Sequence, residues 1–110
     1  MEHRLRKRVQ GKLGSLVYKR GMPVGTGQIR DASSKGLFIA TDYDGVQLNQ
    51  PLEIEFRLPD RRENPLRKLK GYVVRKADNG LGVDFDGFDN NDLTIASLIR
   101  WLEQHYMPRR

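Results

Sequence analysis

Leu52, Ile54, Phe56 and Leu58 alternate with Glu53, Glu55 and Arg57, and Leu81, Val83 and Phe85 alternate with Gly82, Asp84 and Asp86. A period of two puts the apolar side chains on one face of an extended strand and leaves the other face wet. The remaining strand signals are shorter. Leu13, Leu16, Val17 and Tyr18 predict a strand that Arg20-Gly21-Met22-Pro23 ends, and Gly25 to Arg30 predicts a glycine-broken second one. Gly36-Leu37-Phe38-Ile39-Ala40-Thr41 reads as a buried strand. Pro59 to Pro65 is a charged loop. Lys68 to Lys76 is one arm of a hairpin that returns along Leu81 to Phe85. The turn is expected at Asp78-Asn79-Gly80, because tight hairpins favour Asn-Gly, where both positions take positive φ.

After Asp86 the period changes. Ile95, Leu98, Ile99, Leu102 and Tyr106 fall on one helical face, predicting a C-terminal helix over about 91–107. Asp89 and Asp92 near its start, and Arg100, His105 and Arg109 near its end, suit the helix dipole. Pro108 stops it. About six short antiparallel strands must hide their edges, and a closed barrel does so. The fold class expected is therefore all-β with a C-terminal helix. A chain of 110 residues suits a single domain. Residues 1–9, with no apolar period, are expected to be a flexible arm, and 10–110 the barrel domain with its helix.

The charge is uneven. Residues 1–20 hold seven Lys/Arg against the single acid Glu2, within a net charge of +6. A second basic group runs Arg61, Arg62, Arg67, Lys68, Lys70, Arg75 and Lys76. Such polarity draws an anionic partner to the basic end, or else serves only as a solubility tail. No apolar run approaches the roughly 20 residues that cross a membrane. The opening residues lack the apolar segment of a secretory signal. Cysteine is absent, which excludes disulfides and thiol catalysis and suits a reducing cytoplasm, the expected location.

Enzyme signatures are lacking. His3 and His105 have no partner at metal-ligand spacing, so no metal is expected. Gly25-Thr26-Gly27 continues as Gln28-Ile29-Arg30, which breaks the dinucleotide pattern. Gly87 falls in the wrong place for the aspartates at 84, 86, 89 and 92 to form an EF-hand loop.

Two segments could carry ligand chemistry. Arg4 and Arg8 stand four residues apart in the arm, and guanidinium groups grip phosphates or the outer edge of guanine through paired hydrogen bonds. Asp31-Ala32-Ser33-Ser34-Lys35-Gly36 lies between two predicted strands. Asp31 can accept from the N–H edge of a guanine, and Ser33 can bond a ligand or cap the turn. Gly36 permits positive φ and close approach of a ligand to the backbone. Taken alone, the first segment is also a common basic terminus and the second an ordinary Asx/Ser turn.

Together, Arg4-x-x-x-Arg8 followed by Val9, then Asp31-x-Ser33-x-x-Gly36 followed by Leu37-Phe38-Ile39, resemble the signature of the PilZ family. Gly80-Leu81-Gly82-Val83-Asp84-Phe85 also looks like the family's late strand. The resemblance implies a six-stranded antiparallel PilZ-type β-barrel that binds cyclic di-GMP beneath the arginine arm. It implies ligand binding by Arg4, Arg8, Asp31, Ser33 and Gly36, with His3, Arg6 and Gly82 as additional contacts. His3, just before the first motif arginine, is expected to influence whether one or two ligands bind. The implied role is a receptor or adaptor, not an enzyme, that signals to an unidentified effector protein controlling motility, exopolysaccharide or pili, with no cofactor beyond the ligand. Two alternatives stand beside it. A basic barrel for RNA or single-stranded DNA is disfavoured because residues 1–12 contain no aromatic side chain. A PilZ-like adaptor that binds only protein is disfavoured because the motifs are intact.

Overall fold

The computed structural model describes residues 8–59, 62 and 64–105. Six strands are formed: β1 (Val9–Lys19), β2 (Met22–Ala32), β3 (Gly36–Ala40), β4 (Pro51–Phe56), β5 (Arg67–Ala77) and β6 (Gly80–Asp84). They close into an antiparallel barrel in the order β1-β2-β3-β6-β5-β4, and one helix, α1 (Asp92–His105), follows. The expected fold class is borne out. The first strand begins at Val9 and so takes in the last residue assigned to the arm.

The alternation read from the sequence sorts the side chains as expected. Leu52, Ile54 and Phe56 of β4, Leu69 and Val73 of β5, and Leu81 and Val83 of β6 all point into the barrel and are buried. Full burial of each such side chain contributes roughly 1.5–3 kcal/mol. Glu55 departs from the wet-face expectation. It is only 5% exposed, covered on the outer wall by the Tyr18 hydroxyl, which donates to Oε1 at 3.0 Å, and by Lys68 at 3.8 Å.

The hairpin turns also depart from expectation. Gly80 pairs with Ala77, so the connection is Asp78-Asn79, and neither Asn79 nor Gly80 has positive φ. Gly80 is instead a strand residue where a Cβ would strike the Phe38 ring and the Ile39 carbonyl of β3. The turn with two positive φ values is Arg20-Gly21, at 54° and 77°, between the paired residues Lys19 and Met22.

The helix starts at a side-chain cap. Asn91 Oδ1 accepts from the amides of Leu93 at 2.8 Å and Thr94 at 3.3 Å, which satisfies donors that have no partner within the helix. Leu98, Ile99, Trp101 and Leu102 are buried. The helix packs closely on β1 at Gly11, where a Cβ would come within 2.6 Å of Leu102 Cδ2. The His105 ring stacks on Trp101 with centroids 4.1 Å apart. Tyr106 and the expected helix end near 107 lie outside the described residues.

Candidate functional site

Five residues stand opposite one another across five strands. Gln10 of β1 pairs with Asp31, Asp31 with Phe38, Phe38 with Gly82, and Gly82 with Arg75. A bulge on each side makes this row possible. Between Ile29 and Asp31, β2 has one residue more than β3, and between Val73 and Arg75, β5 has one more than β6. An extra residue shifts the in–out alternation by one, so a side chain due to point inward faces outward. The burial of β5 shows the shift: Leu69, Gly71 and Val73 are buried, and then Val74, Arg75 and Lys76 are all exposed.

From Asp31 to Arg75 the row is the floor and ends of a recess of about 440 Å³ on the outer wall of the barrel. Its lining comprises Arg8, Asp31, Lys35, Gly36, Leu37, Phe38, Val74, Arg75, Gly82, Val83 and Asp84. At one end Arg8 Nε donates to Asp31 Oδ1 at 2.7 Å, and Nη2 closes on the same oxygen. Both side chains remain open to water, 48% and 25% exposed. Pairing of Val9 with Ala32 and Gln10 with Asp31 brings the root of the arm to the end of β2. At the other end the Arg75 guanidinium lies over the Phe38 ring, 5.1 Å from its centroid. Three cations and two carboxylates therefore face one cleft, a surface suited to an anion that also offers hydrogen-bond donors.

The turn between β2 and β3 is held from within. The amide of Ser33 donates to the Gly36 carbonyl at 2.8 Å, the Lys35 amide donates to Ser33 Oγ at 3.1 Å, and the Phe85 amide donates to the Lys35 carbonyl at 2.8 Å. Ser33 is 1% exposed, so its hydroxyl caps the turn and does not line the recess. Gly36 has extended backbone, which corrects the expectation of positive φ there. It is small because β6 passes so near that a Cβ would strike the Val83 carbonyl.

Of the residues singled out from sequence, the structure brings Arg8, Asp31, Gly36 and Gly82 together at the recess. His3, Arg4 and Arg6 lie outside the described residues. Lys35, Phe38, Val74, Arg75 and Asp84 were not singled out. Lys35 sits inside the second motif, and a register count through the β5–β6 hairpin sets Arg75 near Gly82. The bulge that turns Arg75 outward leaves no mark in the residue pattern.

Among the described residues no group of three or more His, Cys, Asp or Glu could hold a metal ion, and no helix is long and apolar enough to cross a membrane.

A closed six-stranded barrel with one C-terminal helix and a charged recess on its outer wall defines a small β-barrel domain whose polar site lies on the sheet surface. The chain belongs to the PilZ domain family, whose model matches residues 2–104, and the resemblance seen in the motifs is thereby borne out. The family is one of cyclic di-GMP-binding and adaptor domains and is not catalytic. No curated protein matches the chain.

Proposed function

We propose that this chain is a cytoplasmic cyclic di-GMP receptor that passes ligand occupancy to a separate effector protein. The observation that carries the reading is the meeting of the two motif halves, Arg8 against Asp31, at one end of a recess floored by glycine. The ligand has two phosphates and two guanines, and this end supplies what each needs. Arg8 offers a planar fork for a phosphate or for the O6/N7 edge of guanine, and Asp31 accepts from the N1–H and N2–H edge. Arg4, by its place in the motif, adds a second guanidinium from the arm. Ser33 and Gly36 act indirectly, by fixing the turn and letting β3 and β6 close beneath the ligand.

Each bidentate Arg–guanine contact is worth about 1–3 kcal/mol, while fixing the arm costs roughly 1–2 kcal/mol per residue. Binding therefore needs several contacts at once, and loss of one arginine is severe. Calorimetric titration tests the reading. The expected result is micromolar or tighter binding of cyclic di-GMP, with GMP and cyclic di-AMP far weaker. Arg4→Ala and Arg8→Ala lose binding, while Lys12→Ala changes it little. Absence of heat with a folded domain overturns the proposal, and equal losses in all three variants point to a diffuse basic patch.

A further inference from the structure

We infer that Arg75 is a base-stacking residue, presenting its guanidinium from the Phe38 ring to one guanine of the ligand. The inference rests on the cyclic di-GMP reading above and assigns the end of the recess away from the motifs.

Four features single out Arg75. The bulge at Val74 turns it outward, where strict alternation would bury it. Opposite it stands Gly82, where even a Cβ would lie 3.2 Å from Arg75 Cβ, so the missing side chain leaves its stem a path across β6. Phe38, the next residue of the row, lies beneath the guanidinium at 5.1 Å, and the ring's negative face attracts the cation. Finally, the head group is kept available. Lys68 and Lys70 of the same strand pair with Glu55 and Glu53, and Lys76 donates to the Asp44 carbonyl. Among the described residues no ion pair or hydrogen bond engages Arg75.

The spacing suits a ligand with two bases. Asp31 and Arg75 are three strand steps apart, about 14 Å at roughly 4.8 Å per step. A base read at its edge by Asp31 leaves the second base and the phosphates to extend along the row toward Phe38 and Arg75. Guanidinium is planar and weakly hydrated, and it stacks on a base face in a way an ammonium does not.

Full-length wild type, Arg75→Ala and Arg75→Lys are titrated calorimetrically with cyclic di-GMP, and each unliganded protein is melted. Expected is a loss of roughly tenfold or more in Arg75→Ala, by the usual worth of a base stack, and nearly as large a loss in Arg75→Lys, with melting temperatures unchanged. In wild type the Arg75 Nε–H resonance, assigned by its absence from Arg75→Lys, moves upfield through the ring current of the base. Binding by Arg75→Lys at wild-type strength reduces Arg75 to a point charge and overturns the inference. So does wild-type binding by Arg75→Ala, or an unmoved Nε–H signal. In those cases the receptor reading survives, because wild type still binds. A wild type that binds no cyclic di-GMP overturns both.

Discussion

Arg8 and Asp31 hold each other in a site still open to water, and exposed ion pairs of this kind are worth about 0–1 kcal/mol. Asp31→Ala is therefore expected to shift the melting temperature by only a few degrees while removing the preference for guanine over adenine ligands. Melting curves and paired titrations with cyclic di-GMP and cyclic di-AMP check this. Tyr18 makes a second residue-level prediction. The hydrogen bond to Glu55, then burial, then the charges of Glu55 and Glu53 raise its phenol above the ordinary value of 10.0. An acid whose folded pKa is raised holds its proton longer folded than unfolded. Its stabilising contribution is therefore complete below pH 10 and is lost as pH rises through the folded value. Tyr18→Phe should flatten that alkaline fall in a pH series of denaturant melts. At this scale Arg8, Asp31, Gly36 and Gly82 were legible because their chemistry and spacing stand in the chain itself. Arg75 and Phe38 were not, since their contact is made by a bulge and a cross-strand pairing. Ser33, assigned to the ligand from the family motif, has a buried hydroxyl that accepts from the Lys35 amide within the turn.

Two bulges and two glycine contacts shape the strands around the recess. At Gly36 a Cβ would strike the Val83 carbonyl, a backbone atom that cannot swing aside, whereas at Gly14 a Cβ would meet nothing within 4 Å. Gly36→Ala is expected to cost about 1–3 kcal/mol through overpacking. Gly14→Ala should stay within about 0.5 kcal/mol of wild type, as surface changes usually do. Urea melts of the two variants, read at equal slope, separate them. The β4 and β6 patterns were plain in the sequence because each strand has one buried face. The ends of β1 and β2 were underestimated, since Gly11, Gly14, Gly25 and Gly27 dilute the apolar signal there. The hairpin at Asn79 misled for a physical reason. Asn-Gly suits positive φ, but Gly80 is required by the closeness of β3, and that demand decided the register.

The barrel and the helix share one core, with Leu98 and Leu102 of α1 fully buried in the same cluster as Val17, Ile29 and Leu37. They should unfold together. Leu102→Ala is expected to cost about 2–5 kcal/mol, which lowers the melting temperature by on the order of 10 °C or more for a domain of this size. Trp101 is the only tryptophan and sits on the helix, so its fluorescence reports α1 while far-UV dichroism is dominated by the whole. Coincident transitions of the two probes, in wild type and variant alike, are the expected result. Barrel closure itself was legible from the count of short strands, but the order β1-β2-β3-β6-β5-β4 was not, because nothing local records which strands meet across the β3–β6 seam. That closure also constrains any partner. Among the described residues every strand has a hydrogen-bonded neighbour on each side, although β1 meets β4 only over Leu16–Tyr18, so a partner finds no strand edge free along its whole length. Strand addition along a full edge of the described barrel is closed to it. On the receptor reading proposed above it reads side chains, and the outer wall that carries the recess is where ligand arrival would rearrange them.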